Sequence, residues 1–304
     1  MFRSTRRDFL RSTSATLIYG AACLRSSRAV ASPFGLPIGL QLYSVHDSLP
    51  KDYEGTLKQV AAAGYQEVEA AGFFNHTPRQ VKQAMDAAGL RCVSSHYNYT
   101  DLNRDLDKTI AFSKELGVDY IICSFPGIKN PSRLKDNSFA TQVQSFTLED
   151  YRWNAEEFNR FGEKIKAAGM KFGYHNHTME FRAQDGTVPF DELIRLTDLA
   201  LVTIEMDCGW VMVGGGDPID YLKRYPRRIS MLHIKDFKHT AEPASVVSPP
   251  PSAELGRGTL DFHLIFAAAR KANIKHYFVE QEKYDMPVFA ALKIDADYMK
   301  NLRA

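Results

Sequence analysis

The sequence has few cysteines, no long apolar run and no large excess of one charge, and each absence excludes a class of protein. Its 304 residues include 4 cysteines. Cys92, Cys123 and Cys208 show no CxxC spacing, so neither a zinc finger nor a disulfide scaffold is expected, and their strand-like surroundings predict buried thiols. No stretch approaches the roughly 18 consecutive apolar residues of a membrane span.

The net charge of +2 is small, and its distribution matters more than its size. Residues 1–31 hold six arginines and one aspartate and contribute +5, which leaves −3 for the rest of the chain. A mildly acidic body lacks the positive patch with which proteins usually bind nucleic acid. We therefore expect no nucleic-acid partner.

Residues 1–31 have the pattern of an export signal. The pattern consists of paired arginines, a moderately apolar stretch and a small-x-small motif, at Arg6-Arg7, 15–24 and 29–31. Paired arginines before a weak apolar region are typical of a twin-arginine signal, which predicts a periplasmic protein whose barrel domain spans 32–304. The apolar run before Cys23 is too weak to predict a lipid anchor. A basic helix is the alternative interpretation of this segment.

The rest of the chain alternates short strand-like runs with longer helical patterns. The predicted strands are 38–43, 67–70, 91–96, 120–125, 171–176, 202–207, 229–235 and 276–281. The predicted helices include 53–63, 78–88, 102–116, 152–168 and 261–272. Several helices end at a glycine, as expected for the left-handed residue that follows a last turn. Eight strand–helix units predict a parallel (β/α)8 TIM barrel.

A doubly wound open sheet is the alternative fold. It is disfavoured because no GxGxxG phosphate turn follows an early strand. The glycines at 214–216 come late, and we interpret them as a loop that leads to a helix capped by Asp217, with Pro218 at its first position.

Two connections are too long for plain barrel loops. Segments 126–150 and 237–258 follow strands, and so lie at the face where barrel active sites are found. Long loops there predict lids or substrate walls. Insertions without a function are the alternative.

Ionisable side chains end four successive predicted strands, and this pattern points to function. They are His175 and His177, Glu205 and Asp207, His233 and Lys235, and Glu280 and Glu282. Charges that converge on one half-buried rim repel each other or shift their pKa values unless a cation joins them. Imidazole with two or three carboxylates suits Mn²⁺, Co²⁺, Mg²⁺ or Zn²⁺. The sequence therefore predicts one divalent metal ion per chain.

Alternation along a strand helps to choose the metal ligands. Glu205 and Asp207 share one face of their strand, and Asp207, nearer the rim, is the better ligand. Glu280 and Glu282 also share a face. We predict that Glu280 binds the metal. Glu282 is predicted either to bind the substrate or to hydrogen-bond to a metal ligand.

Six motifs resemble the sugar phosphate isomerase/epimerase family, whose xylose-isomerase-like barrels include inosose dehydratases. They are GLQLYS at 39–44, GYQEVE at 64–69, YHNH at 174–177, MDCG at 206–209, HIKD at 233–236 and GRGTLDF at 256–262. The resemblance implies a metal held by Glu, Asp, His and Glu at strands five to eight. Asp207, His233 and Glu280 match the last three positions. His175 stands where epimerases carry glutamate, with Glu180 further along.

The histidine in place of glutamate at strand five affects which reaction the resemblance implies. In the family's epimerases, two glutamates exchange protons with opposite faces of one carbon. A histidine-rich strand five is more similar to the inosose dehydratase branch, in which an α-proton is removed and water is lost. It is also compatible with members that act on 3-keto sugars or 3-keto glycosides.

All these activities share enolisation, in which a proton beside a carbonyl is removed and an enediolate forms. We predict that Glu280 and His175 bind the metal and also move protons, with His177 or Glu180 as the alternate base. The predicted substrate contacts are Lys235, Arg257, His96, Glu69, Glu282 and Trp210.

The first functional hypothesis is therefore a metal-dependent isomerase or epimerase of a sugar or sugar derivative. The alternative is a keto-sugar or inosose-type dehydratase or lyase, including one that cleaves 3-keto glycosides. A carbohydrate-binding protein without catalysis is a third hypothesis. The acids at strands six and eight argue against it, since binding alone needs no proton acceptor.

Overall fold

The computed structural model describes residues 32–241 and 244–303. The predicted signal peptide, with Arg6-Arg7 and Cys23, lies outside the described residues, so it stays a prediction. Among the described helices, none combines the length and the apolar character that crossing a membrane requires.

Eight parallel strands close into a barrel in which each strand pairs with its neighbours in sequence and the last pairs with the first. The strands are β1 (Gly39–Gln41), β2 (Glu67–Ala70), β3 (Arg91–Asn98), β4 (Tyr120–Phe125), β5 (Lys171–His175), β6 (Val202–Asp207), β7 (Ile229–Ile234) and β8 (His276–Val279). The predicted TIM barrel is thus confirmed.

Helices follow the strands and cover the outside of the barrel. In the described residues they are α1 (Tyr53–Ala63), α2 (Pro78–Ala88), α3 (Tyr99–Arg104), α4 (Leu106–Leu116), α5 (Phe139–Ser145), α6 (Leu148–Ala167), α7 (Pro189–Leu196), α8 (Cys208–Val213), α9 (Pro218–Arg224), α10 (Phe262–Ala269) and α11 (Val288–Asn301). Short 3₁₀ turns occur at Pro33–Gly35, Leu42–Val45, Pro131–Arg133 and Met179–Phe181.

Three helix predictions were wrong in their bounds, and capping explains two of them; the third, predicted over 261–272, is α10 and ends at Ala269. The predicted helix 102–116 is divided, because the Asp105 side chain accepts the N–H of Lys108 and caps a new helix, α4. The helix predicted from residue 152 begins at Leu148, because Thr147 and Asp150 form a reciprocal capping box. A side chain that caps a helix satisfies N–H groups which otherwise lack a partner, and this sets where the helix starts.

Other local predictions are confirmed. The glycines that follow α1 and α2 have φ angles of +116° and +72°, the left-handed conformation that ends a helix. Asp217 caps α9, with Pro218 at its first position. The cysteines at 92, 123 and 208 are free and buried.

The long loop after β7 is tied to the rim of the barrel at several points. Asp236–Phe237 pairs with Ser252–Ala253 in a two-stranded antiparallel ribbon. Val246 N–H donates to Thr178 Oγ1 at 3.1 Å, so the loop also reaches the connection that follows β5. The predicted loop 126–150 contains α5 and the first residues of α6. Both segments are therefore built of hydrogen-bonded structure.

The interior of the barrel has an apolar floor. It is formed by Val93, Tyr120, Ile122, Met231 and Phe278, all buried. Met231 and Phe278 lie two positions before His233 and Glu280, so these pairs point to the same side of their strands. The polar side chains at the strand ends therefore rest on a buried apolar layer.

Asp295, on α11, is a buried acid outside the barrel interior. Its Oδ1 accepts the N–H of Leu255 at 2.8 Å, and Oδ2 has no hydrogen-bond partner among the described residues. Burial raises the pKa of Asp295 to about 7. The folded protein therefore keeps a proton that the unfolded chain releases at about pH 4.

We expect Asp295→Asn to stabilise the protein increasingly as the pH rises. Between about pH 5 and about pH 8 its advantage in the free energy of unfolding grows by roughly 2–3 kcal/mol, since ionisation of the buried acid destabilises only the wild type. Urea unfolding at both pH values measures this. The control is Asp297→Asn on the same helix, whose exposed carboxylate pairs with Lys293 and Lys300. At the higher pH this control variant should have a free energy of unfolding lower than that of the wild type by roughly a few tenths of a kcal/mol. An advantage of Asp295→Asn that is equal at both pH values contradicts this explanation.

Candidate active site

Four side chains from four consecutive strands meet at the carboxyl-terminal end of the barrel. They are His175 at the end of β5, Asp207 at the end of β6, His233 in β7 and Glu280 directly after β8. One potential ligand atom of each lies within 4.8 Å of the other three, and all four residues are buried. We call them the ligand cluster. The predicted metal-binding set is thus brought together in space.

The register of the barrel accounts for part of this convergence. Asp207 lies opposite His233 in the adjacent parallel strand, whereas His175 lies opposite Glu205 and His233 lies opposite Phe278, two positions before Glu280. The four side chains meet because all of them face inward at the ends of strands that tilt around the barrel axis.

The two carboxylate oxygens of Asp207 face different surroundings. Oδ1 accepts the N–H of Trp210 at 2.7 Å and caps α8. Oδ2 is buried and makes no hydrogen bond within the described part of the chain. A buried carboxylate oxygen without a hydrogen bond is costly unless a cation completes it. With two imidazoles and Glu280, Oδ2 therefore forms a nitrogen and oxygen donor set that fits a divalent metal ion.

Lys235 is a second source of positive charge beside the cluster. Its Nζ lies 2.6 Å from Glu282 Oε1, 2.9 Å from Glu280 Oε2 and 3.5 Å from Asp207 Oδ2, and 4.5 Å from the centre of the Trp210 ring. Burial alone lowers the pKa of Lys235. The carboxylates of Glu280, Glu282 and Asp207 outweigh burial and hold the pKa above its ordinary value, so Lys235 is charged.

His175, the last residue of β5, and His177, two positions later, are both neutral. Burial, with the nearby charge of His233, holds the pKa of His175 well below its usual range. Burial and the charge of Lys235 lower the pKa of His177 to about 3. His177 Nδ1 has no hydrogen-bond partner among the described residues, and its ring centre lies 5.1 Å from that of His175. An unprotonated imidazole thus lies beside the cluster.

Glu180 does not reach the ligand cluster, so its predicted role as a base is corrected. Its Oε1 accepts hydrogen bonds from Tyr174 Oη at 2.5 Å and from the N–H of His177 at 3.1 Å. The Tyr174 ring packs on Phe158 of α6. Glu180 therefore lies between the barrel wall and the helix layer, because Tyr174 alternates with the inward-facing His175. Burial raises the pKa of Glu180 to about 7.

Two predicted substrate contacts, Glu69 and Trp210, also need correction. Arg257 is largely exposed and lies 3.5 Å from Glu254, and its contact with a substrate stays a prediction. Glu69 is completely buried, and its oxygens are used by neighbouring side chains, so a substrate has no access to them. Trp210 is buried beneath Lys235. By contrast, Glu282 and His96 are partly exposed, with 30% and 12% of their side chains accessible.

A cavity of about 390 Å³ adjoins the site on the side of His96. Its aromatic wall consists of Phe73, Tyr97 and Phe112. The His96 ring forms part of the wall, and its centre lies 4.9 Å from that of His175. The cavity therefore extends to within one ring of the ligand cluster.

Sequence reasoning missed the role of Glu205. It is completely buried, and its Oε2 lies 2.7 Å from His96 Nε2, 3.2 Å from His175 Nδ1 and 3.2 Å from His233 Nε2. The signal was present, since Glu205 and Asp207 share a face of β6, but alternation does not show that both lie in the histidine layer.

The two roles of Asp207 can be separated by substitution. Asp207→Asn should abolish retention of a divalent ion while α8 keeps its cap, because an asparagine side chain also accepts the Trp210 N–H. Asp207→Ala should lose the ion and about 1 kcal/mol of folding stability as well. Metal analysis and urea unfolding measure the two effects. Equal stability of both variants contradicts the capping role, and tight ion retention by either contradicts the ligand role.

Comparison with known proteins agrees with the fold. An inosose dehydratase of Clostridium beijerinckii is 24% identical over 251 residues, which cover 77% of this chain and 83% of that protein. A solved sugar phosphate isomerase/epimerase from Parabacteroides distasonis is 29% identical, covers 86% of this chain and 96% of its own, and has a TM-score of 0.69. The zinc-bound IolI protein is 12% identical, covers 87% and 98% of the two chains with a TM-score of 0.65, and supports the fold.

The relatives are sugar-modifying enzymes. The sequence profile of the xylose isomerase-like TIM barrel family matches residues 57–302, which is most of the chain. The resemblance noted in the sequence motifs is therefore confirmed, and this chain belongs to the xylose isomerase-like TIM barrel family.

Proposed function

We propose that this protein is a divalent-metal-dependent isomerase or epimerase that removes a proton beside the carbonyl of a sugar or sugar derivative. The observation that carries the proposal is the ligand cluster, whose four potential ligand atoms lie within 4.8 Å of one another in a buried layer. The sugar-modifying relatives support the substrate class.

The metal would be held by His175, Asp207, His233 and Glu280. A divalent ion held there would act as a Lewis acid toward the substrate carbonyl and so would make the neighbouring C–H group more acidic. Glu280 is the most exposed of the four, with 7% of its side chain accessible. We therefore assign it the proton transfer.

Two further side chains complete the proposed chemistry. The ammonium of Lys235, 2.9 Å from Glu280, supplies a fixed positive charge where negative charge develops on the substrate oxygen. His177 follows β5 and Glu280 follows β8, so the two candidate bases come from different strands of the barrel. Bases on two sides of one carbon are what epimerisation needs, because the proton leaves from one face and returns to the other.

Dehydration is the second candidate, favoured by His175 and by the inosose dehydratase relatives. In that reaction the electron pair of the broken C–H bond forms a C=C bond. The β-carbon–oxygen bond breaks, and the hydroxyl group takes up a proton and leaves as water. Cleavage of a 3-keto glycoside follows the same course with a sugar oxygen as the leaving group. Both variants begin with the same proton transfer to Glu280 or His177.

Solvent exchange tests the shared step. Metal-loaded protein incubated in D₂O with ketohexoses, an inosose and a 3-keto-glucoside should place deuterium on the carbon beside the carbonyl. Glu280→Gln should slow this exchange about 10²–10⁴-fold, because the proton acceptor is lost. Asp297→Asn, an exposed change on α11, should leave it unaltered.

The products separate the candidate reactions. Ultraviolet absorbance of an unsaturated ketone identifies elimination, and a new sugar stereoisomer identifies epimerisation. Sugar binding without exchange in the metal-loaded wild type indicates a carbohydrate-binding protein and contradicts the proposal.

We also propose that the protein is exported, on the basis of the paired arginines and the small-x-small motif in residues 1–31. In a bacterium with a twin-arginine system, cell fractionation should find the wild type in the periplasm. Replacement of Arg6 and Arg7 by lysine should retain the protein in the cytoplasm. Export that is unaffected by the replacement contradicts this prediction.

A further inference from the structure

Two buried carboxylates lie directly behind the histidines of the ligand cluster. Glu69 on β2 and Glu205 on β6 are both inaccessible to solvent. The carboxylate of Glu69 accepts hydrogen bonds from Gln41 Nε2 at 2.7 Å and from Ser94 Oγ. Its Oε1 also lies 2.7 Å from His96 Nε2. These neighbours hold the carboxylate of Glu69 in one place.

The two nitrogens of the His233 ring face different groups. Nε2 lies 2.8 Å from Glu69 Oε1 and 3.2 Å from Glu205 Oε2. Nδ1 lies 2.9 Å from Glu280 Oε2 and 3.9 Å from Asp207 Oδ2. The ring therefore stands between the supporting carboxylates and the carboxylates of the ligand cluster.

His175 is oriented in the same way from the neighbouring strand. Its Nδ1 lies 3.2 Å from Glu205 Oε2. A hydrogen bond at Nδ1 leaves Nε2 as the nitrogen that can bind an ion, because a neutral imidazole has one donor and one acceptor nitrogen.

We propose that Glu69 and Glu205 are positioning residues that accept the ring N–H groups of His233 and His175, so that Nδ1 of His233 and Nε2 of His175 face the metal ion. This inference rests on the metal site of the proposed function. Metal-binding histidines commonly donate their second ring nitrogen to a carboxylate, which fixes the tautomer and the ring plane. Loss of such a partner typically lowers metal affinity about 10–100-fold.

His96, His175, Glu205 and His233 form another group of potential ligand atoms within 4.8 Å. We infer that this group orients the metal-binding histidines and does not bind a second ion. His175 and His233 already belong to the ligand cluster. Glu205 Oε2 lies at hydrogen-bond distance from His96 and His175, and Glu69 joins His96 to His233. The proposal therefore includes a stoichiometry of one ion per chain.

Glu67 provides a matched control on the same strand. It lies two positions before Glu69, is also buried, and accepts hydrogen bonds from Arg91 at 3.0 Å and from His276 at 2.7 Å. Glu67→Gln therefore disturbs a buried carboxylate–imidazole pair of β2 that does not involve the ligand cluster.

The test compares Co²⁺ binding by the full chain and by its Glu69→Gln, Glu205→Gln and Glu67→Gln variants, using competition with a chromophoric chelator. We expect affinity to fall about 10–100-fold in the first two variants, with a shifted visible band of the bound Co²⁺. Glu67→Gln should stay within about threefold of the wild type with an unchanged band. Circular dichroism and thermal unfolding verify that each variant is folded.

If a variant fails to fold, a measurement on the wild type still tests the proposal. In Zn²⁺-loaded protein labelled with ¹⁵N at histidine, we expect His233 to carry its proton on Nε2 and His175 on Nδ1. The opposite tautomer at either ring overturns the proposal.

The outcomes separate this inference from the proposed function. Wild-type affinity and an unchanged band in both Glu69→Gln and Glu205→Gln overturn the inference alone. Two Co²⁺ ions per wild-type chain also overturn it. A wild type that binds no Co²⁺ or Zn²⁺ overturns the metal site of the proposed function, and the inference with it.

Discussion

The buried layer of carboxylates and imidazoles above the apolar floor of the barrel is the feature on which the site depends. A charge removed from water is costly unless other charges or hydrogen bonds compensate it. Burial alone lowers the pKa of His96, but Glu69 and Glu205 outweigh burial and raise it to about 9. His96 and His233 in turn hold the pKa of Glu69 below its usual range, although burial opposes this. The opposite charges of these imidazoles and carboxylates therefore hold each side chain in position.

Hydrogen bonds to the backbone also hold the side chains of the site in place. Asp207 uses one carboxylate oxygen to cap α8 and turns the other into the ligand cluster. Asn176, beside His175, accepts the N–H of Asp207 through its side-chain oxygen at 3.1 Å, which connects the ends of β5 and β6. A shift of either strand end would therefore break a backbone hydrogen bond as well as move a ligand atom. Such coupling provides the preorganisation that a catalytic site needs.

The long loops complete the site from outside the barrel. Asp236 accepts hydrogen bonds from the N–H groups of Gly258, Thr259 and Leu260, so the loop after β7 closes on the residue next to Lys235. The contact from Val246 to Thr178 brings that loop to the segment after His177. Both contacts hold the loop beside side chains to which the proposed mechanism assigns a role.

The sequence by itself determined the barrel and the rim residues. Strand and helix periods are local properties of the chain, and parallel strands that alternate with helices place all strand ends at one face. His175, Asp207, His233 and Glu280 could therefore be named from their positions at strand ends. The tertiary structure alone decided the role of Glu205, the burial of Glu69 and the outward position of Glu180. Alternation shows which side of a strand a residue faces, whereas depth in the barrel and the direction of a loop side chain depend on contacts between segments far apart in the chain.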